Sequence, residues 1–436
     1  MLHAQNMSLR PSGSLPTDTR RHIHYGWTIV GVTFATLLIG GLIRSTSGIM
    51  ALPIETEFHW TTATISAAVG TNMLTYGLIG PFAGSLMEAF SLRRIVLMAL
   101  ALVIAGLMFA PFMHHSWQLI LLWGVLVGAG TGVTANVLAA IVATRWFAVK
   151  REFIAGILAS ATAAGQFLFL PAIAELATNF GWRRASESLT AAVVLLIAAV
   201  ACLMRDRPED IGIHRYGELS EAVQISARPV IRYPLRFAFE VLSDAVRERE
   251  FWFVCGSIFI SGISTGGLAG THLILACMDH GMPAFAATGV LASLALFSAI
   301  GSAASGLLSE RFDPRRILVA LYVLRGAALI YLPFAFNSRF GLSAFVILYG
   351  VVWVGTLPLT LRLIEKRFGD ERADVAFGWI VAVSQMGGAL ATYLAGVMRT
   401  EFGTYFEVFM LAGVLCFFAS ALVMLIHREG DRTRRF

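Results

Sequence analysis

Two arginines stand where arginine is costly. Arg44 and Arg325 each interrupt a long apolar run. A mid-membrane arginine costs roughly 2.5–3.5 kcal/mol on insertion scales, so each should face protein or a watery cavity. Arg44 follows Gly40-Gly41 and precedes Ser45-Thr46-Ser47, a composition that admits a neighbouring helix and adds hydroxyl donors. A planar guanidinium there could hold a carboxylate through two parallel hydrogen bonds. The alternative is that Arg44 snorkels to the outer interface, at about 1.5 Å of rise per residue from Tyr25. Arg325 lies near the middle of its run, where a structural bond to a neighbouring helix competes with ligand contact. The other polar side chains in apolar runs are Asn72, Tyr76, Asn136, Gln166, His272, Trp353 and Gln385. A lone Asn or Gln more often bonds helix to helix. His272, the only histidine of its run, sits towards the outer end, where it could titrate or be satisfied at an interface. With Arg44, Ser45 and Arg325, the residues Asn72, Tyr76, Asn136, Gln166, His272 and Gln385 form the candidate ligand-binding set.

These residues need elements to hold them. Hydrophobic residues make up 57% of the chain and charged ones 14%, against about a quarter charged in soluble domains. The apolar runs exceed the roughly 10–14 residues of a buried core helix. Twelve are read, at about 25–51, 61–84, 95–113, 117–141, 153–175, 185–204, 251–275, 285–308, 317–336, 341–362, 374–397 and 406–427. They divide the chain into a tail (1–24), a six-helix bundle (25–204), a linker (205–250), a second bundle (251–427) and a tail (428–436). One set of loops holds Arg93-Arg94, Arg145, Lys150-Arg151, the eight linker arginines, Arg311, Arg315-Arg316, Arg362 and Lys366-Arg367. The opposite set holds only Arg183-Arg184, Arg339 and Arg399. The positive-inside rule therefore puts both termini and the linker in the cytoplasm; the expected location is a bacterial inner membrane. The polar first two dozen residues lack the apolar core of a cleavable signal.

The net charge of +6 does not point to nucleic acid, because the basic residues occupy short loops without an aromatic-interleaved face. Cys202, Cys255, Cys277 and Cys416 are far apart with no metal spacing, so no disulfide framework, metal or other cofactor is indicated. No Gly-x4-Gly-Lys-Ser/Thr loop occurs, so any transport draws on gradients.

The chain is also written twice. Gly84-Ser-Leu86-Met-Glu88-Ala-Phe90-Ser-Leu-Arg93-Arg94-Ile95 returns 222 residues later as Gly306-Leu-Leu308-Ser-Glu310-Arg-Phe312-Asp-Pro-Arg315-Arg316-Ile317. The same spacing pairs Gly128 with Gly350, Arg145 with Arg367, Gly165 with Gly387 and Phe180-Gly181 with Phe402-Gly403. Two similar apolar halves read as a duplicated membrane transporter. Gly84, Glu88, Arg93, Arg94, Gly306, Glu310, Arg315 and Arg316 form a candidate latch: charge pairs made in one transport state bias the equilibrium towards it.

This doubled loop resembles the signature G-x-L-a-D-R-x-G-R-R of the major facilitator superfamily. Glu88 and Glu310 stand where the family usually has Asp, and Ser91 and Asp313 replace its second glycine. The resemblance implies an all-α membrane fold of twelve transmembrane helices in two six-helix bundles around a central cavity. His24-Tyr25-Gly26-Trp27 and Trp146-Phe147-x-x-Lys150-Arg151 resemble motifs of its monocarboxylate-transporter-like branch. In that branch a substrate-binding lysine followed by serine occupies the outer part of the first helix, and Arg44-Ser45 aligns with it. The branch's animal members carry an Asp and an Arg on the eighth helix, where this chain has Ser298 and Ser302.

The expected function is secondary or facilitative transport of a small organic anion, a monocarboxylate, by a monomer in the lipid bilayer, with a proton kept as a candidate coupling ion. A non-transporting sensor would carry a longer soluble output segment. A drug exporter would carry an arginine between Gly124 and Thr144, and a membrane enzyme a His or acid cluster at membrane depth; neither is found.

Overall fold

The computed structural model describes residues 24–218, 234–336, 338–368 and 370–426. Both expected tails lie outside these residues, His24 excepted. Among the described residues the chain is helical, apart from one isolated bridge between Phe147 and Tyr216. The first six spans are Tyr25–Phe58, Thr62–Ala89, Leu92–Phe109, Ser116–Trp146, Arg151–Phe180 and Trp182–Leu203. The second six are Arg249–Asp279, Ala284–Arg311, Pro314–Ala335, the pair Arg339–Trp353 and Thr356–Phe368, Asp370–Phe402 and Phe406–Met424. By length and composition 11 helices among the described residues are apolar enough to cross a membrane. The second span is not among them: it is 28 residues long, but Thr64, Thr71, Asn72, Thr75 and Tyr76 dilute it. Such polarity suits a helix enclosed by other helices.

The repeat is geometric as well as textual. Phe90 and Phe312 end the second and eighth spans in extended conformation, donating their N–H groups to Leu86 O and Leu308 O at 2.9 Å each. Ser91 and Asp313 then start the next helix in each half, accepting from the N–H groups of Arg94 (3.3 Å) and Arg315 (3.0 Å). Where the family has a glycine, this chain has helix N-caps, whose side chains take up otherwise orphaned donors. Gly181 and Gly403 close the fifth and eleventh spans at φ +86° and +71°, a region that favours glycine.

Among the described residues, the fourth, seventh and tenth spans depart from regular α-helix within their length. The fourth contains a π segment at Ile120–Val127 and breaks at 134–135, the seventh a π segment at Ile263–Ala269, and the tenth breaks at 354–355. Each departure frees carbonyls that the bilayer cannot satisfy, so other side chains must. Asn72 Nδ2 donates to Trp123 O at 2.7 Å, and Thr392 Oγ1 donates to Gly267 O at 3.0 Å. Tyr349 Oη donates to Ser264 O. At the tenth-span break, the fully buried Arg325 donates to Val352 O, to Trp353 O at 2.7 Å and to Ser261 Oγ at 2.6 Å.

The linker, read from sequence as an interruption between bundles, contains a helix at Pro234–Ala245. Ala238, Val241 and Ala245 are its buried face. Phe239 meets Phe82 of the second span and Trp379 of the eleventh, at centroid distances of 5.5 and 5.8 Å. Trp379 Nε1 donates to Ala238 O at 2.9 Å. The linker's first part is fastened to the same end of the first bundle by His24 Nε2 to His214 O (3.0 Å) and Tyr216 N–H to Trp146 O (2.9 Å). The His24–Trp27 and Trp146–Phe147 motifs thus converge on one aromatic cluster with Tyr216.

Arg325→Met should leave the two carbonyls at the tenth-span break and Ser261 short of a donor. Hydrogen bonds to charged groups are each worth about 1.5–3 kcal/mol. The expected result is a clear fall in thermal midpoint in detergent, larger than that of Arg44→Met; equal melting of the two variants would remove the bracing role.

Candidate functional site

Arg44 is half-buried on the first span, at the interface of the two halves. Its guanidinium lies over the Tyr76 ring of the second span, 3.7 Å from the centroid. Its Nη2 donates to Gln385 Oε1 of the eleventh span across 3.4 Å, a long and therefore weak bond. Close approach of the second and eleventh spans makes this possible: a Cβ on Gly77 would sit 2.6 Å from Gln385 Cβ. Among the described residues no carboxylate forms an ion pair with Arg44. Among the described residues the contacts of its guanidinium are a ring face and one neutral amide. Such a setting can bind an anion without first displacing an acid.

Three of the expected site residues, Arg44, Tyr76 and Gln385, are therefore brought together from two halves. The other candidates are placed differently. Ser45 is buried with its hydroxyl donated back to Gly41 O (3.1 Å), so it is occupied by its own helix. Asn72 is buried and bonded to Trp123 O. His272 is buried between Tyr405 Oη (3.0 Å from Nδ1) and Thr392 O (2.9 Å from Nε2). Arg325 makes its hydrogen bonds to Ser261, Val352 and Trp353. Gln166 is half-buried on the fifth span. Asn136 begins the helix after the fourth-span break, and its side chain lies outside the described residues.

Of the latch residues, the side chains of Glu88 and Glu310 also lie outside the described residues. Arg93 donates its side chain to Ala201 O and its backbone N–H to Asp206 Oδ1 (2.8 Å), fastening the loop to the start of the linker. Arg315 pairs with Asp313 at 2.8 Å and donates to Ile426 O at 2.7 Å. Arg94 and Arg316 are exposed. Gly84 packs near Val137, whereas a Cβ on Gly306 would meet open space.

A cleft of about 580 Å³ lies between the third and sixth spans, lined by Leu107, Met108, Phe112, Thr190 and Leu195 among others. It touches none of the Arg44 group. One charged group was not singled out by sequence reasoning: Glu55, Asp279 and Arg399, which meet at the bundle end away from the linker. The available signal was that each ends a different long apolar helix.

Two sets of long apolar helices joined by a linker are the architecture of a membrane transporter. The Major Facilitator Superfamily profile matches residues 32–392 and again 279–435, and the chain belongs to that family. It is 24% identical to Monocarboxylate transporter 13 of Bos taurus over 408 residues, covering 92% of this chain and 89% of that one. It is 23% identical to the uncharacterized MFS-type transporter YcxA of Bacillus subtilis, covering 85% and 88% of the two chains. Among solved structures, the nucleoside transporter NupG superposes with a TM-score of 0.71 at 11% identity, covering 93% of this chain and 100% of that one.

Asn72→Leu should leave Trp123 O unsatisfied in the fourth-span π segment, which costs about 1–3 kcal/mol. A lowered thermal midpoint is expected; an unchanged midpoint would mean that this carbonyl finds another donor.

Proposed function

We propose that this transporter carries a small organic anion, a monocarboxylate, by rocking its two halves about Arg44. The observation that supports this reading is the arginine itself. It sits between the halves, without a paired acid among the described residues, on the face of Tyr76 and within reach of Gln385. The similarity to monocarboxylate transporters at 24% identity points the same way. A carboxylate would take the guanidinium fork, with Gln385 supplying an amide from the opposite half. Ligand binding would then join contacts from both halves, as a site shared between rocking bundles requires. The protein works as a monomer in a bacterial inner membrane with both termini cytoplasmic. The doubled Glu88 and Glu310 loops act as latches that favour one state.

Uptake of a labelled carboxylate panel into proteoliposomes, with and without a pH gradient, tests the substrate class and the coupling ion together. Stimulation by an inward proton gradient would add the proton as co-substrate; equal uptake would make transport facilitative. Arg44→Lys keeps the charge and loses the bidentate fork, and should weaken carboxylate affinity about ten-fold. Arg44→Ala should weaken it by about a hundred-fold or more, since an anion in a desolvated site loses its counter-charge. Unchanged affinity in purified, folded Arg44→Ala would overturn the anion reading.

A further inference from the structure

We propose that Glu55 and Arg399 form a releasable gate across the two halves, at the bundle end away from the linker. Arg399, in the last turn of the eleventh span, is clamped by Asp279 at the end of the seventh. Its Nε donates to Asp279 Oδ2 (3.0 Å) and its Nη2 to Oδ1 (2.8 Å). Both residues belong to the second half. The remaining nitrogen, Nη1, reaches across to the first half. It donates to Thr62 Oγ1 at 2.8 Å and lies 3.5 Å from Glu55 Oε1. Thr62 Oγ1 in turn donates to Glu55 Oε1 at 3.0 Å, and Ala63 N–H donates to Thr400 Oγ1 at 3.3 Å. The Arg399 and Glu55 side chains are only 18% and 26% exposed. Nearby, a Cβ on Gly48 of the first span would sit 3.0 Å from Thr271 O of the seventh, so the same end is sealed by packing as well.

The bonding pattern divides by half. When the halves rock apart at this end, Arg399 keeps Asp279 and Glu55 keeps Thr62. The bonds that must break are those from Arg399 to Glu55 and Thr62 and the one from Ala63 N–H to Thr400 Oγ1. Arg399 stays neutralised by Asp279, and the freed Glu55 carboxylate is taken up by water, which limits the opening penalty. Glu55 Oε2 is buried without a hydrogen-bond partner in this closed arrangement, and opening returns it to water. Glu57, two residues further along the helix, is by contrast committed within the first half to Arg183 (2.5 Å) and Trp182 Nε1 (2.7 Å). The first helix thus ends in one fixed acid and one switchable acid. This gate rests on the transporter reading but uses neither Arg44 nor any substrate.

The test is backbone hydrogen exchange of the full chain in lipid nanodiscs. In Glu55→Gln, peptides covering 48–58 and 270–279 should exchange about ten-fold faster than in the wild type, because the cross-half ion pair no longer favours closure. Peptides covering 322–353, braced by Arg325, should be unchanged. Glu55→Asp retains the charge and should stay within about two-fold of the wild type. Unchanged exchange in Glu55→Gln, or a rise spread evenly over the chain, would overturn the gate. Failure of the anion reading would leave this exchange pattern intact, so the two are separable.

Discussion

The fold depends on one requirement: in hydrocarbon, every backbone carbonyl released from a helix needs a donor from elsewhere. A bundle of unbroken helices would meet it automatically, but this chain breaks or distorts its fourth, seventh and tenth spans. The polar residues inside the membrane are distributed accordingly. Asn72 serves the fourth span, Tyr349 and Thr392 serve the seventh, and Arg325 serves the break in the tenth. Most of the buried polarity is therefore consumed by the scaffold. That is why the few polar groups left over at the interface of the halves carry so much weight.

The two halves meet this requirement differently at equivalent places. Val103 and Gly130 touch in the first half, where a Cβ on Gly130 would sit 2.5 Å from Val103 Cγ2. Their counterparts at the repeat spacing are Arg325 and Val352, and there the side chain reaches the carbonyl instead of packing on a methyl-free surface. Similarly, Gly128 approaches Asn72 and Gly350 approaches Leu294, so one pair of crossing points has a polar partner in one half only. Duplication preserved the crossings, and divergence changed what fills them. The second and eleventh spans then use Gly77 and Gly378 to close on each other, which brings Gln385 to Arg44 and Phe82 to Trp379.

Much of this was legible because it is local or periodic. The repeated loop, the long apolar runs and the linker position can be read along the chain, and the doubled loop is specific at the level of the superfamily. Other features were hidden for physical reasons. The helix at Pro234–Ala245 is short and amphipathic within a charged stretch, so its apolar face could not stand out from its surroundings. Ser91 and Asp313 looked like lost glycines, whereas they are caps, a role that depends on where the next helix starts. The Glu55–Asp279–Arg399 cluster joins three distant helix ends, and Arg399 by itself reads only as a basic loop residue. Long-range pairing of this kind leaves no periodic trace. The roles of Asn72 and His272 were likewise undecided until their partners, a π-segment carbonyl and the Tyr405–Thr392 pair, were in view.

The two membrane arginines show how partners rather than position assign a role. Both interrupt apolar runs, and both are absent from the duplicated scaffold. The counterpart of Arg325 at the 222-residue spacing is Val103, and that of Arg44 is Ala269 at the spacing of 225 that pairs Trp27 with Trp252 and Gly41 with Gly266 in the first and seventh spans. Arg325 is fully buried and meets two carbonyls and a hydroxyl from fixed helices of its own half, an environment that changes little if that half moves as a unit. Arg44 is half-buried and meets one group from each half, Tyr76 and Gln385. Its surroundings must therefore alter whenever the halves move. A charge whose environment depends on conformation couples ligand binding to that conformation, because a ligand shifts an equilibrium only by its differential interaction with the two states. Arg325 lacks that dependence, and Arg44 has it by construction.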